Sequence, residues 1–144
     1  MKYAFIILTA LSLPLSASAV DEKIKNSPKF QQMFAGYAVC MACHQMDGKG
    51  VDATGNRLAP PLTGSGWLDD DDRVIRIILH GLSGPIKVGD VEMNSTMPAA
   101  NYLTDKQIAQ AISFARNSWG NKGKLVSPRR VAQVREAPEG RTRP

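Results

Sequence analysis

The chain is poor in metal and redox ligands: 144 residues hold two cysteines, Cys40 and Cys43, and two histidines, His44 and His80. No second CxxC exists to complete a structural zinc site. Beyond residue 15 no segment approaches the roughly twenty apolar residues that a membrane-spanning helix needs. The four consecutive acids Asp69 to Asp72 lack EF-hand spacing, and from a helix start they cannot all converge on one calcium ion. The formal charge is +5, but the basic residues are not interleaved with aromatics and no DNA-reading motif is present, so nucleic acid is not implied. No βαβ pattern surrounds Cys40, and no group of residues resembles a substrate site.

What the chain does contain is Cys40-Met41-Ala42-Cys43-His44. Two cysteines three apart with a histidine directly after them read as a c-type haem attachment site. On one helical turn two such thiols can form thioethers to the two vinyl groups of one haem. The following imidazole then reaches the iron as proximal ligand. A thiol–disulfide pair would need no such histidine. It remains the rival reading of this motif.

Met1-Lys2, the apolar run from Ala4 to Leu15 and Ser16-Ala17-Ser18-Ala19 form the charged, apolar and small-residue regions of a secretory signal, with cleavage expected after Ala19. An uncleaved anchor is the alternative. Residues 20–26 read as a polar lead-in. Loss of Lys2 with residues 1–19 leaves 17 basic against 13 acidic residues. Seven of the basic ones fall after Asn117, against Glu136 and Glu139. A basic end of this kind suits contact with an acidic protein or an anionic membrane surface, or is merely solvated.

Ser27-Pro28 starts a helix on which Phe30, Met33, Phe34, Tyr37 and Ala38 recur at amphipathic spacing. It should deliver Cys40 to the haem, with Met33 and Phe34 in the core. The acids before Arg73 suit the start of a second helix that buries Val74, Ile77 and Ile78 and ends at Gly81. Ile86 to Met93 alternates about Gly89-Asp90, a plausible hairpin. Thr104 and Gln107 form a capping box before Ile108, Ala111, Ile112 and Ala115. Gly120 and Asn121 read as stop residues, and Ser127-Pro128 opens a short last helix carrying Val131 and Val134.

With CMACH, the following Asp47-Gly48-Lys49-Gly50, the segment Ala59-Pro60-Pro61-Leu62-Thr63-Gly64 and the pair Met97-Pro98, the chain resembles the class I monohaem cytochromes c from about Phe30 to Asn121. That resemblance implies an all-α fold in which N- and C-terminal helices pack around one covalent haem c, with a small β-hairpin excursion. The cytochrome domain would span residues 27–121, and residues 122–144 would be a basic C-terminal extension with a short helix. By resemblance the carbonyl of Pro60, or of Pro61, accepts a hydrogen bond from His44 and fixes its ring. Leu62, Ile78 and Tyr102 would touch the haem. Trp67 would donate to a propionate or pack in the core.

His44 and Met97 are then the axial ligands, with Met97 on a loop before the last core helix and Met93 and His80 as competitors. Met41 and Met46 lie too close to His44 to reach the other face. Two filled axial positions imply a periplasmic one-electron carrier, passing electrons from a dehydrogenase to an oxidase or another cytochrome. The Ala115-Arg116-Asn117-Ser118-Trp119-Gly120-Asn121 ending resembles cytochrome subunits or domains associated with dehydrogenases. The rivals are a haem enzyme or gas sensor with an open sixth position, and the thiol–disulfide oxidoreductase.

Overall fold

Local side-chain chemistry sets where the helices begin. A computed structural model describes residues 26–53 and 56–138; the expected signal, most of the polar lead-in and residues 141–144 lie outside them. Helix α1 (Pro28–Tyr37) starts on Ser27, whose Oγ accepts from the Phe30 N–H at 3.2 Å. The CxxCH motif forms a 3₁₀ turn (Ala38–Cys40) and then the four-residue helix α2 (Met41–His44). Helix α3 (Asp71–His80) is capped by the Asp70 carboxylate, which accepts from the Arg73 N–H at 3.1 Å, and stops at Gly81. Helix α4 (Asp105–Arg116) carries the full Thr104/Gln107 capping box. Helix α5 (Pro128–Glu136) starts on Ser127. Each such cap satisfies an otherwise orphaned N–H and contributes about 1 kcal/mol.

Helix α1 lies across α4. Phe114 sits at the crossing, its ring 4.8 Å from Tyr37, 5.3 Å from Phe30 and 5.5 Å from Phe34. Met33 and Phe34, expected in the core, are half-buried at the rim of this contact. At Gly36 the two backbones touch: an added Cβ would stand 2.5 Å from Gln110 Cβ, 2.8 Å from the Gln107 carbonyl and 2.9 Å from the Ala111 nitrogen. Gly36→Ala should therefore destabilise the protein by a net ~1–2 kcal/mol in urea unfolding. Overpacking against backbone outweighs the ~1 kcal/mol that alanine returns in a helix. An unchanged midpoint would show that the crossing has room to spare.

The expected buried face of α3 needs correcting. Ile75, Ile78 and Leu79 enter the core, whereas Val74 and Ile77 are only partly buried. The hairpin is also longer than expected. Strands β3 (Leu82–Val88) and β4 (Val91–Met97) pair antiparallel from Val88↔Val91 to Leu82↔Met97. Met97 is thus the last residue of a strand, not part of a free loop. Its position follows from the two-residue period: Val91, Met93, Ser95 and Met97 share the more buried side, and Glu92, Asn94 and Thr96 are exposed. A two-residue ladder, β1 (Asp52–Ala53) with β2 (Asn56–Arg57), was not anticipated.

The C-terminal extension is built into the core. Val126, Val131 and Val134 are buried in one cluster with Ile75, Leu79, Ile108 and Ile112, and α5 packs on both α3 and α4. Two of its arginines are engaged within the chain, Arg130 with Asp71 and Asp72, and Arg135 with Asp105 at 2.8 Å. The acids read from the sequence as a helix start therefore also anchor the extension. A boundary at residue 121 cuts through this packing.

Candidate functional site

An apolar cavity of about 230 Å³ opens between the CxxCH motif, α3, α4 and the hairpin. Among the described residues no Asp, Glu, Lys or Arg lines it. Cys40, Cys43 and His44 line it from α2 and the preceding turn, Val74, Ile77 and Ile78 from α3, and Leu82, Ile86 and Met97 from the hairpin. The half-exposed part of α3 thus faces the cavity, while Ile75 and Leu79 face the protein core. Leu62 and Trp67 also line it, and Arg73 lies over the Trp67 ring. Tyr102 stands at the rim with 73% of its surface exposed. Among the described methionines Met97 alone lines the cavity. Met93 is buried elsewhere, Met46 is exposed, and His80 sits at the exposed end of α3 outside the lining.

His44 is buried, and its Nδ1 lies 3.2 Å from the carbonyl of Pro60, not of Pro61. A carbonyl can only accept, so Nδ1 carries the proton and Nε2 keeps its lone pair for a metal. Burial lowers the pKa of His44, against the opposing effect of the Pro60 hydrogen bond. The ring is thereby favoured in its neutral, ligating form.

The chain after the motif folds back to put Pro60 there. The N–H of Gly50 donates to the His44 carbonyl at 3.2 Å, that of Val51 to Cys43 at 2.9 Å, and that of Leu58 to Val51 at 2.9 Å. Gly50 permits this, since a Cβ on it would meet the Ala59 carbonyl oxygen at 2.2 Å.

Three further residues, to which sequence reasoning gave no such role, hold these loops. The Tyr37 hydroxyl donates to the Gln45 carbonyl at 2.9 Å, and burial, together with the negative charge that Cys40 and Asp47 can carry, keeps that phenol protonated. The Trp119 indole N–H donates to the Met46 carbonyl at 2.9 Å. Asn121 does not stop α4, which ends at Arg116. Its amide donates to Leu62 and Ala115 and accepts from Gly64 at 2.8 Å, clamping the Pro-rich segment to the helix end. The only sequence signal for such contacts is the polar residue type beside a helix end.

The donor set suits a covalently held haem. A neutral imidazole and a methionine thioether border one uncharged cavity with two thiols at attachment spacing. A thiol–disulfide enzyme needs a low thiol pKa. Here burial, with some help from the nearby Cys43, pushes the Cys40 thiol up to about 11.

A family profile described as cytochrome c matches residues 23–119. The chain belongs to the cytochrome c family. Its cofactor is covalent haem c, for which Cys40 and Cys43 fit the CxxCH motif, and its role is electron transfer. Cytochrome c-552 of Thermus thermophilus is 30% identical over 127 residues, covering 85% of this cytochrome and 73% of that one. The gluconate 2-dehydrogenase cytochrome c subunit of Pantoea cypripedii is 35% identical over 105 residues, 67% of this chain and 22% of the subunit. The cytochrome c subunit of the quinone alcohol dehydrogenase of Gluconobacter oxydans is 31% identical over 91 residues, 57% of this chain and 17% of that subunit. This cytochrome c therefore spans about a fifth of the length of the dehydrogenase subunits it matches.

Proposed function

We propose that this cytochrome c is an exported one-electron carrier whose iron is ligated by His44 and Met97, and that it takes electrons from a dehydrogenase and passes them to an oxidase or another cytochrome. The observation that carries this reading is the placement of Met97 and His44 on one uncharged cavity, with no other described methionine or histidine lining it. When bound, the haem would supply a one-electron couple, and His44 and Met97 would hold its iron and leave no position for oxygen. Cys40 and Cys43 tether it, Pro60 holds the His44 ring, and the apolar lining limits reorganisation by excluding water.

The dehydrogenase side of the proposal rests on relatives that are themselves dehydrogenase cytochrome subunits. Export rests on residues 1–19, whose pattern is that of a secretory signal. No helix among the described residues is long and apolar enough to cross a membrane. With Arg130 and Arg135 engaged inside the chain, the exposed Lys122, Lys124 and Arg129 are what the described extension offers to an acidic partner or an anionic membrane surface.

The test is the absorbance of the oxidised holoprotein at its red edge, where methionine-to-iron charge transfer gives a weak band. The band should be present in wild type and lost in Met97→Ala, which should also bind carbon monoxide once reduced. A wild-type protein that lacks the band and binds carbon monoxide readily would have an open sixth position, and would move the function to ligand binding or catalysis.

A further inference from the structure

Met97 sits between two tethers. On its C-terminal side the Ala100 N–H donates to the Ile78 carbonyl at 2.7 Å, fixing the chain to α3. On its N-terminal side, two residues back on the same face of β4, Ser95 Oγ donates to the carbonyl of Leu58 at 3.0 Å. Both Ser95 and Leu58 line the cavity. Leu58 is itself fastened to Val51, and Val51 to Cys43. Two residues beyond Leu58 stands Pro60, whose carbonyl faces His44. One hydroxyl therefore joins the strand that carries Met97 to the loop that orients His44. Two other side-chain bonds of the hairpin among the described residues, Ser83 with Thr96 at 3.4 Å and Lys87 with Glu92 at 3.6 Å, stay inside it.

We propose that Ser95 is a positioning residue for Met97: its bond to Leu58 sets how firmly β4 holds the thioether in the cavity. The proposal rests on the His44/Met97 reading above. Without that bond the Met97 end of the strand is held by the ladder, the Ala100 tether and the packing of Met97 against the core. The Met97 end can then swing away from the cavity at lower cost, and an exogenous ligand competes with it more easily. The bond is neutral and exposed, so its loss loosens the methionine without expelling it.

The test is a titration of the oxidised holoprotein with imidazole, following loss of the red-edge band, in wild type, Ser95→Ala, Ser95→Thr and Ser83→Ala. Ser95→Ala should keep the band and lose it at about fivefold lower imidazole, the change that one neutral hydrogen bond supports. Ser95→Thr keeps a hydroxyl on a strand-compatible side chain and should stay close to wild type. Ser83→Ala, which removes a hydroxyl from the outer face of the same hairpin, should titrate as wild type. Equal imidazole sensitivity in Ser95→Ala and wild type would overturn the proposal. So would a shift of the same size in Ser83→Ala, because it would report general loosening of the hairpin. A wild-type protein with no band would overturn the ligand reading itself and this assignment with it, whereas a band indifferent to Ser95 would overturn this assignment alone.

Discussion

Gly50→Ala will cost the holoprotein about 3 kcal/mol of stability and raise its reduction potential. The stability loss has two sources. Gly50 has φ +77, in the left-handed region, where a residue with a Cβ is strained by about 1–2 kcal/mol. The new Cβ would also meet the Ala59 carbonyl oxygen at 2.2 Å and the Pro60 carbonyl oxygen at 2.9 Å. These are backbone atoms, so no rotamer change relieves the clash, and residues 59–60 must shift as a unit. That shift moves the Pro60 carbonyl from its 3.2 Å contact with His44 Nδ1. With His44 as the proposed iron ligand, donation to a carbonyl makes it the stronger ligand and favours the oxidised iron, so weakening the bond favours the reduced form and the potential rises. Urea unfolding and a redox titration check the two halves separately. A stability loss without a change in potential would mean that Pro60 follows His44 when the loop moves, and unchanged stability would mean that the close approach is not required.

The parts of this site that could be read from the sequence are those set over short distances along the chain. The spacing of Cys40, Cys43 and His44, the Ser27, Thr104 and Ser127 caps, and the Gly89-Asp90 turn are each decided within a few residues, and the caps and the turn appear where expected. Long-range contacts were not legible in this way. Asn121 reaches Leu62 across 59 positions and Trp119 reaches Met46 across 73, and no local pattern specifies which carbonyl such a donor will find. The misread face of α3 has a different cause. The helix meets the protein core through Ile75 and Leu79 and the cavity through Val74 and Ile77. Both surroundings select apolar residues, so periodicity marks the combined stripe without dividing it. The sequence marks only the inner part of the hairpin because Gly84, Pro85 and the polar run Asn94-Ser95-Thr96 break the alternation by which a strand is recognised. The pairing register nevertheless continues through them to Leu82↔Met97.

Arg116→Ala will destabilise the protein by about 3 kcal/mol, most of it through carbonyl groups rather than through its ion pair. Arg116 is 5% exposed at the C-terminal end of α4. Its Nε donates to the Leu68 carbonyl at 2.5 Å, and Nη1 donates to Lys124 at 3.3 Å and pairs with Asp71 at 2.7 Å. The side chain thus fastens three segments at once: the turn before α3, the start of α3, and the chain that leads into α5. Truncation leaves two carbonyls without their donor at about 1 kcal/mol or more each, and removes the stem that packs on Gly123. The Asp71 contribution is smaller. That carboxylate is 37% exposed and keeps Arg130 Nε at 3.9 Å, so solvent and a second cation compensate for part of the loss. Three urea-unfolding measurements separate the contributions. Arg116→Ala should cost the most. Arg116→Met, which restores the stem but not the donors, should cost about 2 kcal/mol, and Asp71→Asn less than about 1 kcal/mol. If Asp71→Asn cost as much as Arg116→Ala, the ion pair would be the dominant tie between α3 and α4. Because Leu68 lines the cavity and Val126 lies just beyond Lys124 in the core, Arg116→Ala should also loosen α5. Faster hydrogen exchange at Val131 and Val134 would report this directly.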